Sequence, residues 1–141
     1  MTGIFIVAAK RTPFGSFGGS LKKFTPTQLG VIATKSALSD GNIDPSLVDH
    51  VFFGNVIPSS SDGAYLARHI GLQSGIPIST PALSINRLCG SGFETVAQGL
   101  MHIATKRASV VVCGGTENMS MAPFQVDGNA MRWGNPLGTN P

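Results

Sequence analysis

An alternation of strand-like and helical segments limits the fold of this chain more than any other feature. Four segments, 4–9, 51–57, 82–88 and 109–113, are predicted as strands, and the first is a continuous apolar run of the kind buried on both faces. The segments between them carry apolar residues at helical spacing. This order predicts an α/β fold with a parallel sheet, whose strands end at one common edge where ligands usually bind.

Local signals place the starts of the three helices. Thr25 is a predicted N-cap, Pro26 suits the first helical position, and Gln28 can complete a capping box. Asp62 is the predicted cap of the second helix, and the third helix begins after Cys89.

Composition excludes some classes of function. The 141 residues suffice for one domain with a core, and charged residues make up only 12% of them. Such a low charge content indicates either an extensive α/β core or a face that meets another domain or subunit. The net charge of +3 comes without a basic stripe, so nucleic acid is not an expected partner, although the charge suits an anionic substrate.

The two cysteines, Cys89 and Cys113, lack the CxxC spacing of metal sites. Neither a metal site nor a disulfide framework is therefore expected, and a reducing compartment is favoured. No apolar run is as long as a membrane span, and the N-terminal apolar run lacks a secretory cleavage site.

Cys89 lies at the junction between a predicted strand and a predicted helix. Two glycines, Gly90 and Gly92, follow it. Backbone N–H groups at a helix start have no intrahelical partner, and the helix dipole favours negative charge there. A thiolate is the nucleophilic form of cysteine, so Cys89 is predicted to be an acyl-accepting nucleophile. The dipole contributes only about 0.3–1 kcal/mol, so a nearby histidine is expected to be needed as well.

Simpler interpretations stand beside these functional ones. A lone cysteine at a strand–helix junction is commonly a small buried apolar residue, and Cys113 is predicted to be one at a strand end. His69 and His102 are expected at the surface. The pair Gly114 and Gly115 could cradle a phosphate, but tight backbone passage near the Cys89 turn is the favoured interpretation.

Four motifs resemble the N-terminal portion of the thiolase family and occur in that family's order. They are the opening strand and loop VAAKRTPFG (7–15), the helix segment YLARH (65–69), the active-site segment INRLCGSG (85–92) and the glycine-rich strand end CGGTENMS (113–120). The likeness covers residues 4 to about 138. It is greatest to the degradative, mitochondrial-type 3-ketoacyl-CoA thiolases, which are acetyl-CoA acyltransferases.

The resemblance implies a three-layer α/β/α half with a mostly parallel sheet. Thiolases join two such halves and carry a loop domain inserted in the first. Residues 1–121 would accordingly form an incomplete N-terminal core, and residues 122–141 the start of the inserted loop region. From residue 122 onward the sequence also loses strand and helix periodicity, so an irregular structure is predicted there.

The resemblance identifies Cys89 as the catalytic residue of this chain. In thiolases, the histidine that acts as base on this cysteine, a second cysteine and most oxyanion donors belong to the second half. Cys113, His50, His69 and His102 match none of these positions. The resemblance implies no bound cofactor and no metal. It also implies that CoA and acyl-CoA are substrates.

The implied reaction is the thiolytic cleavage of 3-ketoacyl-CoA to acetyl-CoA and a shortened acyl-CoA, a step of fatty acid β-oxidation. The resemblance suggests the mitochondrial matrix, with the cytoplasm as the alternative, and a homo-oligomer for the full-length family. Without the second half, the chain alone is expected to be inactive.

Two other functions stay open at this point. The chain could be a non-catalytic truncated module that dimerises through the predicted strand 82–88 or binds a full-length thiolase. It could also belong to the ketoacyl-synthase-like condensing enzymes, which share the general fold, although the context of residues 88–92 is more similar to thiolases.

Overall fold

A computed structural model describes residues 3–134 of the chain. Helices and strands alternate in it as α1 (Pro26–Asp40), β1 (His50–Gly54), α2 (Leu66–Gln73), β2 (Ala82–Ile85), α3 (Ser91–Ala104), β3 (Val111–Gly115) and α4 (Gly128–Trp133). Short 3₁₀ turns lie at Pro45–Leu47, Gly63–Tyr65 and Met119–Met121. The predicted alternation is confirmed from α1 to β3.

The three strands form one parallel sheet in the order β2–β1–β3. Val51 in β1 lies opposite Ala82 of β2 on one side and Val112 of β3 on the other. The predicted parallel sheet is therefore confirmed. Strand β2, predicted over 82–88, ends at Ile85, and the backbone beyond it reaches a left-handed conformation at Leu88.

Alternate side chains of β1 face opposite layers of helices. Val51 and Phe53 pack into the cluster formed with α1 and α2, whereas Phe52, which is fully buried, meets His102 of α3. Helices α1 and α2 therefore cover one face of the sheet, and α3 covers the other. This is the predicted three-layer α/β/α arrangement.

One of the two predicted helix caps, Thr25, is confirmed, and the other, Asp62, is not. Thr25 accepts a hydrogen bond from the Gln28 N–H while the Gln28 side chain accepts one from the Thr25 N–H, so the predicted capping box of α1 is confirmed. The prediction for Asp62 is wrong, because its carboxylate makes no helix-capping bond. It instead accepts hydrogen bonds from the hydroxyls of Thr27 and Ser60, which turns it towards α1.

The prediction of a strand at residues 4–9 is also wrong. The segment has no regular secondary structure and pairs with no strand among residues 3–134, and Phe5 and Ile6 are each 79% exposed. It is fastened to the end of α1, where Lys10 Nζ lies 2.9 Å from Asp40 Oδ1. A cavity of about 870 Å³ separates it from β3, so it has no neighbour with which to form a sheet.

The segment after residue 121 is irregular up to residue 127, as predicted, but then forms α4. Asp127 begins this helix by accepting a hydrogen bond from the Asn129 N–H, a local signal that the periodicity argument missed. The division of the chain into 1–121 and 122–141 stays a prediction, and its last seven residues lie outside the described part.

Candidate active site

Cys89 lies in the connection between β2 and α3, at the edge where the three parallel strands end. Its side chain is exposed. The ends of β1 and β3 lie against the first residues of α3, directly after this connection. A Cβ atom added to Gly115 at the end of β3 would lie only 3.2 Å from the Gly92 Cα. This contact is consistent with the favoured interpretation of Gly114 and Gly115, which is tight backbone passage rather than a phosphate cradle.

The backbone immediately before Cys89 adopts an unusual conformation. Leu88 has a φ of 51°, in the left-handed region that costs a non-glycine residue about 1–2 kcal/mol. Beyond it the chain turns sharply: the Gly90 N–H donates to the Arg87 carbonyl (3.0 Å) and the Ser91 N–H donates to the Leu88 carbonyl (3.0 Å). Cys89 thus occupies the apex of a turn that leads straight into α3.

Charges at the start of α3 are paired. Glu94 lies in the first turn of α3, where the helix dipole favours a negative charge, and it forms an ion pair with Arg87. Hydrogen bonds from Gln98 and from Arg87 lower the pKa of the Glu94 carboxyl. Glu94 is therefore ionised at neutral pH and paired with Arg87.

A second network, centred on Glu117, holds the loop that follows β1. The Glu117 carboxylate accepts hydrogen bonds from the Asn55 side chain (2.9 Å), the Val56 N–H (2.9 Å) and the Ile57 N–H (3.3 Å). The Asn86 side chain in turn donates to the Val56 carbonyl (3.2 Å). Sequence analysis assigned Glu117 no role, since nothing local in the sequence indicates that its carboxylate reaches a loop about sixty residues away.

Cys113 is distinct from Cys89 in position and chemistry. It lies within β3, half-buried against Gly99 of α3, rather than at the strand end as predicted. Burial raises the pKa of the Cys113 thiol from an ordinary value of 9.0 to about 11. It lines the cavity beside the N-terminal segment, whereas Cys89 does not. The cavity is therefore not part of the Cys89 turn.

Each of the three histidines has its Nδ1 engaged elsewhere than at Cys89. His69 Nδ1 lies 3.1 Å from the Asp62 carboxylate, His102 Nδ1 lies 3.0 Å from the Gln98 carbonyl, and His50 Nδ1 lies 3.3 Å from a carbonyl of its own strand. His102 also packs edge-on against Phe52, so it is less of a surface residue than predicted.

Two further features are absent from residues 3–134. None of the helices there is long and apolar enough to cross a membrane. No group of three or more His, Cys, Asp or Glu side chains within the same residues could hold a metal ion.

Comparison with known proteins places the whole described region in one family. The thiolase N-terminal domain matches residues 4–140. The mitochondrial 3-ketoacyl-CoA thiolases of Pongo abelii and Homo sapiens are each 56% identical over 140 residues, which is 99% of this chain and 35% of theirs. The crystal structure of human mitochondrial 3-ketoacyl-CoA thiolase in complex with CoA is 57% identical, with a TM-score of 0.92 over 96% of this chain and 34% of that one.

This chain thus spans about a third of the length of the relatives that it matches. The match nevertheless includes every motif named above, from the opening segment to the glycine-rich end of β3. The strand order and the helix layers described above belong to the same fold as the human structure. The chain belongs to the thiolase family.

Proposed function

We propose that this chain is the nucleophile-bearing part of an enzyme that cleaves 3-ketoacyl-CoA with CoA, and that Cys89 accepts the acyl group. One observation carries the proposal. In a member of the thiolase family, an exposed thiol occupies the apex of a strained turn at the start of a fourteen-residue helix. A thiol so placed is open to substrate and lies where a helix favours its anionic, nucleophilic form.

The proposed reaction proceeds in two transfers through one thioester. The Cys89 thiolate attacks the ketone carbon of the substrate, the adjacent carbon–carbon bond breaks, and its electron pair leaves on acetyl-CoA, which takes up a proton. The shortened acyl group stays on the sulfur. The thiol of a second CoA loses its proton and attacks this thioester, which forms the shortened acyl-CoA and restores the Cys89 thiolate.

The chain supplies part of the stabilisation that this sequence needs. The Gly90 and Ser91 N–H groups already donate to carbonyls of the turn, so they are not available to a substrate oxygen. The Cys89 N–H is the proposed donor to the thioester oxygen, and such a donor contributes about 3 kcal/mol in a complete site. The proton transfers need acid and base groups beyond the bonded histidines, and the resemblance places those groups in the second half of thiolases.

The relatives' names suggest the setting of the reaction. Two are mitochondrial 3-ketoacyl-CoA thiolases, and the human enzyme has been crystallised with CoA. We propose CoA and 3-ketoacyl-CoA as the substrates, fatty acid β-oxidation as the process and mitochondria as the compartment. The net charge of +3 suits the polyanionic CoA.

The proposal is tested by replacing the corresponding third of the human mitochondrial enzyme with these 141 residues and measuring the cleavage of acetoacetyl-CoA. We expect cleavage, trapping of an acetyl group on Cys89 by mass spectrometry, and a loss of more than about 1,000-fold in kcat for Cys89→Ser. Cys113→Ser is the matched control and should keep its activity, since Cys113 lies in β3. Cleavage that survives Cys89→Ser would refute the assignment.

A specific observation favours a second candidate, a non-catalytic module that dimerises. In residues 3–134 the outer edge of β2 has no partner strand, and Leu83 on it is 47% exposed. Antiparallel pairing of two β2 edges would satisfy their backbone groups. Light scattering should then give a dimer that Leu83→Lys converts to a monomer, and a strictly monomeric parent chain would exclude this candidate. The isolated 141-residue chain is expected to cleave no acetoacetyl-CoA in either case.

A further inference from the structure

We propose that Ser91 and Asn86 are positioning residues that hold Cys89 at the apex of its turn, an inference that rests on the proposed role of Cys89. The two side chains form hydrogen bonds with the backbone groups of Leu88 and of Arg87 before it. The Asn86 Oδ1 accepts a hydrogen bond from the Leu88 N–H (3.0 Å). The Ser91 hydroxyl donates to the Leu88 carbonyl (2.6 Å) and accepts from the Arg87 N–H (2.8 Å).

The conformation at Leu88 requires such a restraint. Three non-glycine residues have a positive φ in the described chain: Asn42, Leu88 and Lys106. Asn42 and Lys106 follow the ends of α1 and α3, where a left-handed residue ordinarily terminates a helix. Leu88 follows no helix, so its strained conformation does not come from helix termination.

Packing of the Leu88 side chain does not provide the restraint. The side chain is 70% exposed, so few apolar contacts hold it in place. Its backbone is therefore held by polar contacts: the hydrogen bonds of the turn itself and the side-chain bonds of Asn86 and Ser91. Because Cys89 is the next residue, the same contacts set the direction in which the chain enters α3.

Both positioning residues are themselves held in place, Ser91 by the end of β1 and Asn86 by the loop that follows it. Ser91 is only 4% exposed and packs on Gly54 at the end of β1, where an added Cβ would lie 2.7–2.9 Å from Ser91 atoms. Asn86 donates to the Val56 carbonyl (3.2 Å), and Val56 is itself bound by the Glu117 carboxylate. The end of β1 and the loop after it therefore support the turn that holds Cys89.

The experiment measures the rate at which iodoacetamide modifies Cys89 in the 141-residue chain, with Thr95→Val as the matched control. Thr95 is a buried hydroxyl residue of the same helix, but its hydroxyl donates to the Gly92 carbonyl instead of the turn. We expect Ser91→Ala to slow the modification about two- to five-fold, the size of the effect that a helix start has on a thiolate, and Thr95→Val to leave it unchanged. Equal effects of the two substitutions would overturn the proposal.

A double substitution separates positioning from a general loss of structure. Glycine adopts a positive φ without strain, so Leu88→Gly should make the turn less dependent on the Ser91 hydroxyl. We expect the effect of Ser91→Ala to shrink towards one-fold in the Leu88→Gly background, and an undiminished effect would refute the inference.

A second pair of variants covers the case in which Ser91→Ala does not fold. Asn86→Ser offers a hydroxyl oxygen to the Leu88 N–H without adding a charge near the thiol, so it should be modified faster than Asn86→Ala, which offers no acceptor. Similar rates for the two would count against the inference. Alkylation consumes no acyl-CoA, so a failure of the acyl-transfer assay and a failure of this inference are observed separately.

Discussion

The two cysteines provide a direct test of the site. Below pH 9 the thiolate fraction of a thiol falls about tenfold for each unit by which its pKa rises. Burial raises the pKa of Cys113 from an ordinary value of 9.0 to about 11, so its thiolate fraction is about 100-fold lower than that of an ordinary thiol. Limited access to a half-buried sulfur slows its reaction further. Cys89 is exposed, so access of the reagent to its sulfur is not limited in this way.

We therefore expect one equivalent of iodoacetamide to modify the native chain at pH 8, on Cys89. Peptide mass spectrometry identifies the site, and Cys89→Ser should show modification of Cys113 at a rate at least about 10-fold below that of Cys89 in the parent chain, since the higher nucleophilicity of a more basic thiolate offsets part of its lower abundance. Unfolding in urea should abolish the difference. Comparable native rates for the two thiols, or protection of Cys89, would show that the arrangement described here is wrong.

Three further predictions concern the fold around the site. Thr25→Ala removes the capping box of α1 and should lower the free energy of unfolding in urea by about 1 kcal/mol, whereas Thr25→Ser should retain it. Asn118→Ala deletes the amide that donates to three carbonyls between Leu21 and Phe24, so hydrogen exchange should become faster in that loop, and unchanged exchange would contradict the assignment. Burial lowers the pKa of His50 below its ordinary 6.5, an effect to which the nearby His102 adds, so the unfolded chain binds more protons than the folded chain around that pH. Stability should fall as the pH drops through 6.5, and His50→Gln should reduce this dependence in urea unfolding measured from pH 7.5 to 5.5.

The sequence predicted the parts of the fold that local chemistry determines. The capping box of α1 depends on residues three apart, and the strand–helix junction at Cys89 depends on a change of periodicity within one short segment. Each of these signals involves only residues that are close together in the sequence. The structure confirms the capping box and the parallel α/β order, and it brings Cys89 to the strand-end edge that the order implied.

Predictions failed where a residue's partner lies far along the chain. The apolar segment 4–9 has the composition of a buried strand, but pairing requires a neighbour, and a cavity lies between it and β3. Asp62 resembles a helix cap locally, but the distant Thr27 hydroxyl binds it. The role of Glu117 was missed for the same reason, since its partners follow β1.

The open side of β3 has a consequence for handling the protein. Within residues 3–134 this strand has a neighbour only at β1, so its other margin presents a row of unpaired N–H and C=O groups beside an apolar cavity. Its sequence, VVCGG, carries no lysine, glutamate or proline to discourage a foreign strand from adding to it. Precipitation that rises steeply with protein concentration should therefore begin along this strip.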